Sequence, residues 1–404
     1  MLGHSTTASF TYYYYPAWFR SFSKFLPTAR FSRVIHVEDL VIFGPFCFNK
    51  NTLVYTGVPE SKVYVQASCC IGRLVLAMGE LRKVQRTPGG TFFVCLPKSW
   101  AVQSGLVKGS VLALSETGDG KLLLDAKHGI EPSPRIATLK PGPHLGREII
   151  GTYLLGFDVI KVEGKERISF EMREVVKNTV SHLVGLEIVE EDYASIAIQC
   201  LLEPSGFPPE KILRRGYTIA ASMHRDVAKA FVDGDVSLAK SVMARDDEGN
   251  RLYFLLVRIL RTIIQNPGLS EKLGVGPIGC LDYRVVASLV EAIGDECVRV
   301  SVKTVELNGE KLDESLRKQF LAFHLACYGA HEDALTAFLT GSVDLAEKVR
   351  DMRQKVEREL AKIEEVARAQ SLDIVPQILS AASFLRQIYE HSVDIADLAA
   401  PKDH

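Results

Sequence analysis

No two cysteines in this sequence stand at C-x-x-C spacing, and of the eight only Cys69 and Cys70 are neighbours. That pattern argues against a zinc ribbon or a disulfide scaffold and favours reduced thiols in a cytoplasmic protein. No run of eighteen apolar residues occurs, so an ordinary membrane span is not expected. Neither sign of charge is in excess, the net being −1, so nucleic-acid binding would have to rest on a local basic patch. Glycine-rich phosphate loops, paired His/Cys metal spacings and a Ser-His-Asp order are also missing, and with them any positive sign of an enzyme. Gly274-Val275-Gly276-Pro277 reads as a turn between helices. What the 404 residues do offer is length enough for two or three domains with sizeable cores.

The pattern that organises the chain is a repeat. Residues 230–242 read AFVDGDVSLAKSV and residues 337–349 read AFLTGSVDLAEKV, with seven of thirteen positions identical at an offset of 107. Gly234 and Gly341 each separate two apolar-periodic segments, as where one helix ends and the next begins. Around the match lie helical stretches at 209–232 and 311–339, at 236–265 and 343–370, and at 280–306 and 374–397. The third pair aligns Ile293-Gly294-Asp295 with Ile388-Tyr389-Glu390 at an offset of 95. Each copy is thus expected to be three long helices whose apolar stripes cover one another.

Residues 1–77 have a different character. They carry the Tyr12 to Tyr15 run, Trp18 and eight Phe, against three acids, Glu38, Asp39 and Glu60. They show only broken strand-like runs, and Met78 stands just ahead of the first orderly pattern. The preferred reading is a natural start at Met78, with 1–77 an atypical, translated extension. A basic, aromatic targeting or membrane-surface segment and a small β module are the alternatives.

From Glu80 alternation predicts a strand to Arg86, a Pro88-Gly89-Gly90 turn and a second strand from Thr91 to Leu96. A short helix from Lys98 to Ser104 follows, and then a hairpin of Val111 to Ser115 with Lys121 to Asp125. Arg82-Lys83-Val84, the strand ending in Leu96-Pro97, the short helix and L-x-x-G before an apolar strand together resemble the AbrB/SpoVT swapped-hairpin family. The resemblance covers about 45 residues within 78–130. It implies a small barrel interleaved from two chains, hence a homodimer, and a segment this short buries little apolar surface alone. It also implies DNA contact through Arg82, Lys83, Arg86 and Lys98, residue types that neutralise phosphates. Trp100-Ala101-Val102 and Gly90 depart from the basic pattern of many members, so a barrel that only dimerises is the competing reading.

Between 131 and 207 the prolines at 132, 134, 141 and 143 predict a stiff extended linker. A small α/β connector is expected after it: helix Arg147 to Leu155, strand Asp158 to Val162, helix Ser169 to Leu183, and apolar runs at 186–189 and 195–202. His182 there reads as an ordinary satisfied histidine. Repeat 1 then spans 208–309 and repeat 2 spans 310–404.

Two i,i+4 pairs stand out in repeat 1. Asp246 and Asn250 share a face of the second helix, and Glu291 and Asp295 share a face of the third. One pair supplies too few oxygens for a hard cation, whereas two facing helices with a pair each supply enough; a solvated acidic corner is the bland alternative. The stretch DVSLAKSVMARDDEGN, the long helix after it, LVEAIGDECVRV and the second copy resemble the PhoU family of phosphate-uptake regulators. The combination with an AbrB-like segment is similar to archaeal proteins of that class. The resemblance implies one divalent or trivalent ion (Mg, Zn, Fe or Mn) in repeat 1, held by Asp246, Asn250, Glu291 and Asp295. It further implies a phosphate ABC transporter or phosphate sensor protein as partner. In repeat 2 the equivalent positions are Arg353 with Glu357 and Arg386 with Glu390. A guanidinium cannot ligate a metal, so no ion is expected there.

The expected fold class is α+β: a swapped-hairpin barrel, an α/β connector, and an all-α tandem of three-helix bundles. The expected function is a phosphate-responsive, DNA-binding dimeric regulator. A non-DNA-binding adaptor and a carboxylate-helix metal-binding protein are the alternatives.

Overall fold

The computed structural model describes residues 81–116, 120–126 and 134–399, and the backbone of three short strands upstream. Those strands, β1 (Cys47–Asn49), β2 (Thr52–Val54) and β3 (Tyr64–Val65), pair antiparallel in that order. Met78 and most of the extension lie outside the described residues. The chain divides into two compact units, 1–128 and 129–404.

In the first unit β4 (Gln85–Arg86) pairs with β5 (Phe92–Phe93) around a turn whose Gly90 has φ +94°. Helix α1 (Lys98–Gln103) follows, and β6 (Ala113–Glu116) pairs with β7 (Leu122–Asp125). The expected elements are present, with shorter strands. No described residue between 81 and 125 is buried, and Phe92, Val111, Leu114 and Leu122 are each more than 60% exposed. Within one chain this segment has no core of its own.

The second unit opens where the linker was expected. Ile136–Leu139 forms β8, which pairs in parallel with β9 (Val159–Glu163) across the crossover helix α2 (Leu145–Leu154). The prolines flank this strand without interrupting its ladder, so the stretch is a sheet edge and not a spacer. Helix α3 (Phe170–Ser181) begins at Ser169, whose hydroxyl accepts from the Met172 amide. Strands β10 (Leu186–Glu191) and β11 (Ser195–Cys200) complete a sheet of order β10-β11-β9-β8. Ile160, Val162, Ile196 and Ile198 point inward against Leu145, Ile149, Tyr153 and Val176, while Lys161 and Glu163 point out. His182 lies exposed at the end of α3, its Nδ1 2.6 Å from the Asn178 carbonyl.

The rest is helical: α4 (Pro209–Asp233), α5 (Val236–Gln265), α6 (Pro267–Leu273), α7 (Pro277–Glu306), α8 (Glu314–Thr340), α9 (Val343–Asp351), α10 (Arg353–Ala367) and α11 (Val375–Ala396). Helices α4, α5 and α7 form one bundle and α8 to α11 the other; α4 packs on α8 and α7 on α11 to join them. The repeated turn is the same object twice. Gly234 and Gly341 cap α4 and α8 in the left-handed conformation, at φ +63° and +67°. Asp235 and Ser342 then accept from the amides of Leu238 and Leu345 to start the next helix. A Cβ on Gly234 would lie 2.5 Å from the Glu310 carbonyl oxygen, so the turn also needs a residue without a side chain.

Two differences from the sequence expectation concern the bundles. Helix α6 was not anticipated; Asn266 caps it and Pro267 opens it. The expected single helix at 343–370 is broken at Met352 into α9 and α10. The Tyr389 hydroxyl donates toward the carbonyls of Val349 and Arg350, both at 3.2 Å, beside that break. Gly294 holds the equivalent place in the first bundle, where α5 runs unbroken.

Candidate functional site

Asp246 and Asn250 stand one turn apart on α5, and the Asn250 amide donates to Asp246 Oδ2 at 2.8 Å. Across from them α7 carries Glu291 and Asp295. Asp246, Asn250 and Glu291 line a cavity of about 30 Å³ walled by Gly216, Met223 and Gly294 of α4 and α7. Burial pushes the Asp246 carboxyl up to about 6, and the Asp295 charge adds to this while the Asn250 hydrogen bond opposes it. Burial likewise pushes Glu291 up to about 7, reinforced by the charges of Asp295 and Asp246 and opposed by Arg284. Asp295 is raised by burial and held back by Arg299. The three carboxylates thus sit close enough to repel one another in a half-buried place.

Whether these residues fit a cation follows from their chemistry. All three carboxylates are hard oxygen donors, and an ion between them would relieve both the burial and the repulsion. As the side chains stand, no three His, Cys, Asp or Glu among the described residues converge on one ion position. The Asn250–Asp246 hydrogen bond occupies one of the oxygens an ion would need. The four sequence-predicted residues therefore share one neighbourhood without forming a closed coordination shell.

The second bundle replaces these groups with ion pairs between α10 and α11. Arg353 meets Glu390 through two hydrogen bonds of 3.1 and 2.9 Å. Arg386 meets Glu357 at 2.7 Å and lies 3.8 Å from Glu390. Arg386 thus stands between Glu357 and Glu390.

In the N-terminal unit Arg82, Lys83, Arg86 and Lys98 are all exposed. The Arg86 guanidinium lies 5.4 Å from the centre of the Phe92 ring. Reading the sequence by apolar period missed another group altogether. His224 on α4 and His331 and His324 on α8 are buried between the bundles, with Tyr217 and Tyr328 beside them. His224 Nδ1 is 3.1 Å from His331 Nδ1. The signal was available: His224 and His331, and Tyr217 and His324, are both separated by the repeat offset of 107.

The two bundles, one with paired acids and an amide on facing helices and one with acids paired to arginine, form a duplicated helical module. Both bundles match the family model described as PhoU domain, over residues 213–304 and 324–399. The matched stretches cover most of the helical part of the chain, which is thus similar to PhoU domains in both bundles. Among solved structures it is similar to PhoU from Pseudomonas aeruginosa, at 21% identity and a TM-score of 0.43, over 47% of this chain and 93% of that one. It is also similar to the phosphate transport system regulatory protein PhoU from Streptococcus pneumoniae, at 14% identity and a TM-score of 0.36, over 47% and 91%. A PhoU-like phosphate regulatory protein from Shewanella oneidensis MR-1 aligns at 16% identity and a TM-score of 0.34, over 49% and 93%. No curated protein matches the chain. Among the described residues no single helix is long and apolar enough to cross a membrane.

Proposed function

We propose that this chain is a phosphate-responsive regulator in which the tandem PhoU domains bind a cation and a phosphate transporter or sensor protein, while the N-terminal unit dimerises and contacts DNA. The observation that carries the regulatory reading is the match of both bundles to the PhoU domain. Asp246, Glu291 and Asp295 supply the anionic oxygens for one divalent or trivalent ion, with the Asn250 carbonyl completing the set once its amide turns from Asp246. A bound ion would supply positive charge between α5 and α7 and hold the two helices at one spacing. Replacing Glu291 and Asp295 together by alanine is expected to lower bound metal, measured by elemental analysis, with helical content kept. Unchanged metal content refutes the assignment.

The exposed apolar residues of 81–125 support a dimer formed by a second copy of the same segment, since apolar surface on this scale is unfavourable in water. A two-fold axis would double the patch of Arg82, Lys83, Arg86 and Lys98, and arginine and lysine gain affinity by displacing counterions from phosphates. Mobility-shift experiments on the upstream DNA of the protein's own gene, across a salt series, test the DNA part. Arg82→Ala with Lys83→Ala is expected to weaken binding to every sequence and flatten the salt slope. A wild-type protein that gives no salt-sensitive shift favours the adaptor reading, in which the N-terminal unit serves dimerisation alone. Trp100-Ala101-Val102 in α1 is the feature that favours that alternative.

A further inference from the structure

Four helices join the two bundles, α4 to α8 and α7 to α11, and buried polar atoms without hydrogen-bond partners gather on them. They include Nε2 of His224 on α4, Nδ1 of His324 and Nε2 of His331 on α8, Oε2 of Glu296 on α7 and Nδ1 of His391 on α11. Away from these four helices only Nε of Arg258, among the described residues, is in that position. The contact between His224 and His331 does not satisfy both rings. Two neutral imidazoles meeting Nδ1 to Nδ1 at 3.1 Å share a single proton. One of the two Nε2 atoms is then an N–H and the other a lone pair, and neither has a partner. A buried polar group left unpaired costs free energy that water returns on exposure. A half-satisfied polar layer is accordingly less stable than an apolar one.

The seam between α4 and α8 is uneven along its length. The two helices run antiparallel, since Phe231 meets Phe320 while Tyr217 and His224 meet His331. At the first end Phe231 and Phe320 stack with ring centres 4.7 Å apart and no exposed surface. Arg317 pairs with Asp233 there, and the Leu312 amide donates to the Val232 carbonyl at 3.3 Å. The loop between the bundles lies at this end too, its Gly309 and Glu310 carbonyls close against Gly234. In that loop Asn308 and Gly309 have φ +50° and +85°, and Asn308 is the only described residue other than glycine with a positive φ. At the other end the seam holds His224, His324 and His331, closed at its exposed rim by an Arg225–Tyr328 hydrogen bond of 2.6 Å. Apolar stacking thus holds the end beside the loop, and unsatisfied polar groups occupy the end away from it.

We infer that the seam between the bundles is a hinged joint, which parts at the histidine end and turns about Asn308-Gly309 and the Phe231–Phe320 contact, giving the chain a closed and an open form. Opening hydrates the three imidazoles, and with them Glu296 and His391 where α7 and α11 separate. Neither bundle unfolds, because α4 keeps its packing on α5 and α7, and α8 keeps its packing on α10 and α11. The joint needs neither the cation nor the DNA contact proposed above.

Double electron–electron resonance on the full-length protein tests this, with nitroxides attached through non-canonical residues because the chain has eight cysteines. One pair of labels sits at the exposed Thr218 and Thr336 at the histidine end, the other at the exposed Lys229 and Lys318 nearer the loop. Wild type is expected to show two distances for the Thr218–Thr336 pair, the second longer, and one narrow distance for the Lys229–Lys318 pair. With His224→Leu, His324→Leu and His331→Leu together the longer population should fall roughly tenfold or more, and the melting temperature should rise, because apolar side chains leave nothing unpaired. If that variant fails to fold, His324→Leu alone, which keeps the His224–His331 bond, should lower the longer population by a smaller factor. A single short distance for Thr218–Thr336 in wild type overturns the joint. Equal lengthening at both pairs overturns it too, as does a longer population that the leucine variants leave unchanged.

Discussion

Replacing Arg258 by alanine is expected to destabilise the second unit by about 2–4 kcal/mol, from the hydrogen bonds lost to two backbone carbonyls and the void left behind. The connector sheet should then come loose before the bundles unfold. Arg258 lies in the C-terminal half of α5 and is 3% exposed. Its Nη1 donates at 2.7 Å to the carbonyl of Tyr153, in the last turn of α2, which also accepts from the Gly156 amide, and at 2.9 Å to the carbonyl of Phe157 just beyond the helix. Its guanidinium also lies 4.9 Å from the centre of the Tyr153 ring and 3.7 Å from Asp158. Alanine would remove the donor that the two carbonyls share, leaving Tyr153 only its bond from the Gly156 amide, and would open a void under Tyr153, a ring with no exposed surface. Arg135, which reaches both the Leu155 carbonyl and Gln265 of α5, is a second and more exposed tie between the same elements. Urea unfolding followed by tyrosine absorbance and by helical circular dichroism should therefore split into two transitions. Arg258→Lys should restore only part of the loss, since an ammonium lacks the planar fork that reaches two carbonyls at once. Coincident transitions with a midpoint near wild type would show that this arginine does not hold the sheet to α5.

The helical half was legible because the features that encode it are local and occur twice. Gly234 and Gly341 announce left-handed caps, Pro209 and Pro277 open helices, and apolar stripes at helical period mark the faces that α4, α5 and α7 bury. The connector was legible too, through the strand expected at 158–162 and the apolar runs at 186–189 and 195–202, which are β9, β10 and β11. Strand β8 was not, because four residues between prolines look like a spacer until a parallel neighbour is known. The break at Met352 was hidden for a related reason. Nothing near Met352 signals an end, and the hydroxyl beside the freed carbonyls comes from Tyr389, 37 positions later. Candidate acids were visible from i,i+4 spacing, but their separation and burial depend on how closely α5 and α7 approach. Gly294, a residue that periodicity counts as nothing, lies at that approach, where a Cβ would stand 3.3 Å from Asp246 Oδ1. The N-terminal unit shows the limit from the other side: its short strands and helix are written locally, while Phe92 and Leu122 stay exposed among the described residues.

The buried histidines give the second large effect, a loss of stability on acidification. Burial holds His224 well below the ordinary histidine range, with the neighbouring His324 and His331 adding to the effect. Burial holds His324 at about 4, helped by the Arg225 charge, and His331 at about 3, helped by His324. Their surroundings offer the protonated forms little. Nε2 of His224, Nε2 of His331 and Nδ1 of His324 have no hydrogen-bond partner. Arg225 brings positive charge from α4, and its guanidinium donates to Tyr328 at 2.6 Å. In the unfolded chain these histidines take up protons as the pH falls through 6.5, while in the folded chain they remain neutral until about pH 4 or below. Unfolding is favoured across that window, by on the order of 3 kcal/mol for His324 alone. The buried acids act with the opposite sign. Glu291 and Glu296, both raised to about 7, and Asp246, raised to about 6, repel and strain the fold when ionised, so acidification relieves them first. Wild type should therefore show a shallow profile between pH 7 and 5 and a steep loss below about pH 4.5, where only the histidines still differ between the two states. With Asp246→Asn, Glu291→Gln and Glu296→Gln the compensation shrinks to that of Asp295 and Asp394, both raised by burial, and the loss should begin at higher pH than in wild type. Adding His324→Leu should then flatten the slope by close to one proton's worth in urea midpoints measured from pH 7.5 to 4. A slope unchanged by that substitution would mean that the imidazoles accept their protons without disturbing the seam between the two bundles.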